Sequence, residues 1–391
     1  MPAHDAPTGP PAQTWQTAPV ACSRTWPSLP SAGDEMKRRT LSASMLFLLT
    51  AIVIRSPAGE QVSPHCYKVA AGPFAVASVE NVVLRDEKRR KDLPVSAYFP
   101  KAEATVPLSA DRKVPVIVFS HGAGGSGDMG LPLVRHWAGH GYVVLCPTHA
   151  DSIKLRRQQG QDIGGGAAGV IRRAISGEED WMNRPGDISF LLDSLDTLEA
   201  KVPALKGRLD RERIGVGGHS FGAFTAQAVG GATLKLAGKD QPQSLADKRV
   251  KAILLLSGQG RDQMGLHERS WENLRLPMLC VTGSLDRGAQ GQPPEWRRDP
   301  FAMSPPGDKY FLFIQGAHHG SFTGRFADGG ERLGLFRGAA GGDQKAIFEW
   351  VKAATTAFWD AYLKGEMPAK QFLQSDALAT ASRMQAKLEY R

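Results

Sequence analysis

The stretch that most constrains the fold is Arg213-Ile-Gly-Val-Gly-Gly-His-Ser-Phe-Gly-Ala-Phe-Thr-Ala-Gln-Ala-Val229. Ile214-Gly-Val216 reads as a short buried strand, and Phe221 to Val229 as an apolar helix of small residues. Between them stands one Gly-x-Ser-x-Gly, Gly218 to Gly222, centred on Ser220. A strand that turns sharply into a helix at a serine holds that serine in a strained backbone conformation. Glycines two before and two after it let strand and helix approach closely. The Ser220 Oγ would then stand at the top of a sheet, over the positive end of a helix. With 43 Gly in 391 residues the pentapeptide alone is weak, and its bland reading is a loop serine in a Gly-rich chain. The strand before, the helix after and the partners further along point to a nucleophile.

Around this stretch, strand-like and helix-like segments alternate. Ala75 to Leu84 and Asp92 to Phe99 flank the charged run Arg85 to Lys91 and read as an antiparallel edge hairpin. Val114 to Ser120, Tyr142 to Cys146, Ala252 to Leu256, Met278 to Val281 and Tyr310 to Ile314 are nearly all apolar, as strands buried on both faces must be. Helices are expected around Leu131 to His140, from Pro185 to about Leu198, and from Gln344 to Leu363. The last carries Phe348, Val351, Ala354, Thr355 and Phe358 on one side. The pattern predicts one large α/β domain over residues 59–391, a mostly parallel sheet with helices on both faces.

Ahead of it, residues 1–35 are rich in Pro, Ala, Ser and Thr and read as disordered. At Met36 the character changes. Lys37-Arg-Arg39, the apolar run Met45 to Ile54 and Ser56-Pro-Ala58 make a signal peptide over 36–58, with translation expected to start at Met36. The run is shorter than the roughly 20 residues that span a bilayer. An uncleaved anchor or a buried helix is the alternative; export implies a secreted or periplasmic protein with no stable membrane insertion. The formal charge of +9 is scattered, with no basic face interleaved with aromatics, so a nucleic-acid partner has little support. Cys22 precedes the mature chain, Cys66 lies near its start, and Cys146 and Cys280 end strand-like runs as small core residues. No essential disulfide and no metal site are expected from such spacing.

Phe119-Ser-His-Gly-Ala-Gly-Gly125 follows a strand, and the backbone N–H of Ala123, with that of Phe221, suits an oxyanion hole. His121 belongs to the wrong loop to be the base and reads as a structural histidine beneath it. Met278 to Leu285 runs into a loop with Asp286 at its end, placed after Ser220 as the acid should be; Glu295 and Asp299 are the replacements. Phe311-Leu-Phe-Ile-Gln-Gly-Ala-His-His-Gly320 supplies the histidine, and spacing leaves His318 and His319 both open.

These motifs together resemble the α/β-hydrolases grouped as dienelactone-hydrolase-like and platelet-activating-factor-acetylhydrolase-like serine esterases, with chlorophyllases and bacterial cutinases as relatives. The resemblance covers roughly Pro73 to Lys364. It rests on Ser120-His-Gly-Ala123, Arg184-Pro-Gly-Asp-Ile188, Gly218-His-Ser-Phe-Gly222, Gly283-Ser-Leu-Asp286 and Gly316-Ala-His-His319. It implies an α/β-hydrolase fold, a small-molecule ester substrate, no cofactor, and His319 as the base, because similar sequences read Gly-Ala-x-His there. Ser220 stands where true dienelactone hydrolases have cysteine. Phe221 stands where polyester-cleaving cutinases usually have methionine, which puts that activity in doubt.

The leading expectation is an exported serine hydrolase of carboxylic esters; a phospholipase A2 or platelet-activating-factor-acetylhydrolase-like enzyme would use the same residues. A non-catalytic binding protein on this fold is the reading a missing triad member would have favoured. Two excursions, Thr148 to Trp181 and Arg287 to Ser304, are expected to shape the substrate pocket with Trp181 and Trp296. Arg287, Arg297 and Arg298 would favour anionic substrates.

Overall fold

The apolar runs become the centre of a nine-stranded sheet. In the computed structural model, which describes residues 67–101, 113–327 and 341–391, the order of strands is β1-β2-β4-β3-β5-β8-β9-β10-β11. These are β1 Val76–Asp86, β2 Lys91–Pro100, β3 Val114–Ser120, β4 Val143–Pro147, β5 Leu209–His219, β8 Val250–Leu256, β9 Met278–Leu285, β10 Lys309–His318 and β11 Ala386–Tyr390. A separate two-stranded ribbon joins β6 Thr233–Leu234 to β7 Gln243–Ser244. The six strands from β4 to β10 run parallel; β1–β2 is the expected antiparallel hairpin at one edge. The described residues all fall within one compact unit, Gln61–Arg391. Residues 1–35, the stretch 36–58 expected to be a signal peptide, Cys22 and Cys66 lie outside the described residues.

The central strands are apolar throughout because each face has its own core. Val116 and Val118 of β3 belong to one apolar cluster, and Ile117 and Phe119 to the other. β9 divides the same way, Met278 and Cys280 against Leu279 and Val281. The first cluster is closed by helices α4 Glu178–Asp193, α5 Leu195–Lys201 and α6 Phe221–Gly230 through Ile188, Leu198 and Phe224. The second is closed by α1 Leu131–Gly139 and α8 Gln344–Trp359 through Trp137, Val351 and Phe358. Trp137 is wholly buried and its Nε1–H donates to Thr355 Oγ1 at 3.1 Å, so this large ring leaves no polar atom unpaired. Cys146 and Cys280 are buried free thiols in these layers.

Two expectations need correcting, and one strand was not expected at all. The helix expected to open at Pro185 begins at Glu178 and runs through the proline. Glu178, Glu179 and Asp180 favour a helix start by their charge, and a proline in the interior costs about 3 kcal/mol. Tertiary contacts of the buried residues on either side, Arg184 and Asp187, offset that cost. The stretch from Thr148 to Trp181, expected as an excursion with no helix assigned to it, holds α2 Ile153–Gln158 and α3 Gly166–Ser176. After the shorter α7 Asp299–Met303, α9 Met367–Leu373 and α10 Ala377–Ala381, the chain returns as β11, antiparallel to β10, which no expectation included.

Candidate active site

Strand order reverses at β3: β4 lies on one side of it and β5 on the other. In open α/β sheets ligands bind outside the carboxyl ends of the strands at such a point. Here those ends carry the loop His121 to Gly125 and the turn at Ser220.

Ser220 links β5 to α6 with φ 55° and ψ −117°, a conformation that non-glycine residues rarely adopt. Its own N–H donates to Leu256 O at 2.9 Å, tying the turn to the neighbouring strand. The flanking glycines are required by contact. A Cβ at Gly218 would lie 2.3 Å from Gly222 C, and one at Gly222 would lie 1.9 Å from Ser120 O. Strand, turn and the β3 loop therefore meet backbone to backbone. Neither the Ala123 N–H nor the Phe221 N–H donates to another group among the described residues. For Phe221 this is the ordinary state of a first helical residue.

Asp286 follows β9 and His319 follows β10, on parallel neighbours. Asp286 is wholly buried, and the His319 Nδ1–H donates to its Oδ1 at 2.9 Å. The other oxygen, Oδ2, receives Ser257 Oγ–H at 2.5 Å and Thr282 Oγ1–H at 3.0 Å, and forms an ion pair with Arg297 Nε at 3.0 Å. Burial works to raise the Asp286 carboxyl, but the Arg297 charge and these hydrogen bonds hold it well below the usual carboxylate range. It is an ionised acceptor aimed at His319. His318 also borders the cavity described below but makes other contacts: it is buried, its Nδ1 accepts the Gly320 N–H at 3.1 Å, and its ring meets Phe326 edge-on.

Several of these partners carried no sequence signal. Ser257, at φ 59° just past β8, matters only because β8 and β9 are neighbours in space. Arg297, expected to favour anionic substrates, borders the cavity but is buried; besides its ion pair with the Asp286 carboxylate it donates to the carbonyls of Ser257, Gly258, Asp286 and Arg287. Arg298 pairs with Glu389 on β11. His219, beside Ser220, donates Nε2–H to the His319 carbonyl at 2.6 Å; burial, then the neighbouring His319, push its pKa down to about 3. His121 is buried beneath its loop as expected, with Nδ1–H donating to Gly122 O at 2.7 Å and Nε2 accepting the His149 N–H at 3.0 Å.

A cavity of about 680 Å³ opens over Ser220 and His319, with Ala123 and Phe221 in its lining. Ile171 and Ile175 of α3 form one wall, and Trp296 and Arg287 lie on the other excursion, beside Leu285 at the end of β9. Trp296 thus borders the cavity; its Nε1–H is held by Arg261 O at 2.8 Å. Trp181 is not in the lining but packs against the core cluster from α4. Among the described residues no cluster of three or more His, Cys, Asp or Glu could hold a metal ion, and no helix is long and apolar enough to cross a membrane.

Residues 90–162 match the family model described as platelet-activating factor acetylhydrolase, isoform II. That segment takes in Ala123 and stops before Ser220. The chain is similar to the platelet-activating factor acetylhydrolases of Bos taurus and Canis lupus familiaris, 28% identical to each over 142 and 143 residues respectively. The same enzyme from Cavia porcellus is 28% identical over 149 residues. Each comparison covers 30% of this chain and 32% of the relative, so the chain spans about a third of the length of the curated relatives it matches.

Proposed function

We propose, on the premise that the chain is a platelet-activating-factor-acetylhydrolase-like α/β-hydrolase, that it hydrolyses carboxylic esters through an acyl-enzyme on Ser220. The observation that carries this reading is the buried, ionised Asp286 holding Nδ1 of a histidine that faces the same cavity as Ser220. With Nδ1 carrying its proton toward Asp286, Nε2 of His319 is left as the base. Ser220 Oγ attacks the ester carbonyl and its proton passes to Nε2; the carbonyl π pair moves onto oxygen, facing the N–H groups of Ala123 and Phe221. Collapse expels the alcohol, which takes the proton back from His319, and water repeats the sequence to free the acid. Read with the export signal over 36–58, the setting is the periplasm or the exterior.

The test is a fluorophosphonate probe read by intact-protein mass spectrometry. One adduct forms on the protein and none on Ser220→Ala, because only an activated serine reacts at that rate. An equal adduct on both proteins would refute the assignment.

The relatives are acetylhydrolases by name, and short acyl groups are the corresponding reading here. The cavity lining mixes apolar side chains with Gln259, Gln263, Arg287 and Gln290, and α3 along one wall brings Arg172 beside Ile171 and Ile175, which favours soluble esters. Across p-nitrophenyl esters from acetate to palmitate, kcat/KM is expected to peak at short to medium chains. A maximum at the longest chains, appearing only above their solubility limit, would point to a lipase instead.

A further inference from the structure

We propose that Arg184 is a positioning residue for the oxyanion hole, acting on both of its halves from the buried side; this rests on the reading of Ser220, Ala123 and Phe221 above. Arg184 sits in mid-helix in α4, 1% exposed, far from any solvent that could satisfy its five donors. Its Nη1–H donates to His121 O at 2.5 Å and its Nη2–H to Gly122 O at 3.2 Å. Its counter-ion is Asp151, reached by Nε at 3.1 Å and Nη2 at 2.8 Å. The same Asp151 accepts the Gly124 N–H at 2.9 Å. The ion pair therefore grips the peptides on both sides of Ala123, one by its carbonyl and the next by its N–H.

The consequence follows from peptide geometry. In a planar trans peptide the carbonyl of Gly122 and the N–H of Ala123 point in opposite directions. Turning the Gly122 oxygen onto Arg184 thus turns the Ala123 N–H away from it. His121 Nδ1–H and the Gly125 N–H also donate to that oxygen, at 2.7 and 3.0 Å, but both belong to the loop itself. Arg184 is the contact that ties the loop to α4. Its guanidinium carbon also stands 4.1 Å from the centroid of the Phe221 ring, the residue that supplies the second N–H. One side chain thus registers the β3 loop against the start of α6. As a plain stabiliser a buried ion pair is a poor choice, since well-packed apolar residues commonly match it. A guanidinium is the group that can reach two carbonyls, a carboxylate and a ring face from one site, whereas lysine offers a single point charge.

The experiment compares the full-length protein with Arg184→Lys, and with the double variant Arg184→Met, Asp151→Asn, which strands no buried charge if the lysine variant fails to fold. Three quantities are read per folded molecule: kcat, KM and the Ki of a trifluoromethyl ketone, which forms a hemiketal with the serine and places its oxyanion in the hole. The expected result is a kcat lowered on the order of 10²-fold with KM nearly unchanged, and a ketone Ki weakened in step with kcat/KM. A loss confined to melting temperature, with kcat and Ki kept within about threefold per folded molecule, would overturn the positioning role. Absence of turnover and of ketone binding in the unmodified protein would instead bring down the reading of Ser220, and this inference with it.

Discussion

Replacing His319 by alanine is expected to lower ester turnover by about 10⁶-fold, as deeply as Ser220→Ala, while His318→Ala stays within about tenfold. The two histidines are adjacent in sequence, but His318 is the last residue of β10 and His319 lies in the turn beyond it, and the two side chains make different contacts. His319 meets the carboxylate of Asp286; His318 is buried against Phe326, with Nδ1 occupied by a backbone N–H. Removing His319 takes away the acceptor for the serine proton, and removing Ser220 takes away the bond it serves, so each loss alone stops the sequence. Removing His318 costs packing and loop order, which lowers stability more than rate. Steady-state kinetics on the three variants, each normalised to folded protein, decides the matter. If the His318 variant is the dead one, the base is misassigned by one residue.

The sheet was legible because its central strands are buried on both faces. Such strands leave continuous apolar runs, and β3, β8 and β9 stand where those runs stand. β11 left no such trace: it is a five-residue edge strand with one buried side chain, Ala386, and its pairing with β10 is decided by tertiary contact. The helix through Pro185 was hidden for a related reason, since local preference argues against it and buried ion pairs on Arg184 and Asp187 override that preference. In the site, the elbow and the order Ser, Asp, His single out Ser220 and Asp286 from local pattern. The supporting shell was not legible, because Ser257, Arg297 and Arg184 act through spatial neighbours up to 64 positions away in the chain. Arginine in a loop reads as a surface charge; Arg297 is a buried clamp on the Asp286 carboxylate, a contact visible only once β8, β9 and the loop after β9 are side by side.

That clamp makes the outcome of Asp286→Asn specific. The Oδ2 position accepts from Ser257 and Thr282 and is ion-paired with Arg297, and Oδ1 alone faces His319. An asparagine there must turn its carbonyl oxygen toward the two hydroxyl donors and the Arg297 charge, which leaves its NH₂ against His319 Nδ1. The imidazole then has to accept at Nδ1 and carry its proton on Nε2, the tautomer that cannot take the serine proton. A fall in kcat of about 10⁴-fold is expected, with KM little changed. The stability of the two proteins should also diverge with pH. Because the folded Asp286 carboxyl is held well below its unfolded value, its contribution is fully present above about pH 4 and is lost as pH falls further toward the folded value. Asparagine has no such term, so urea unfolding should show the gap between the two proteins narrowing on acidification. Equal turnover by the asparagine variant would remove Asp286 from the mechanism and direct attention to Glu295 or Asp299. A stability gap that stays constant through the acid range would show that the buried carboxylate gains nothing from its ring of donors.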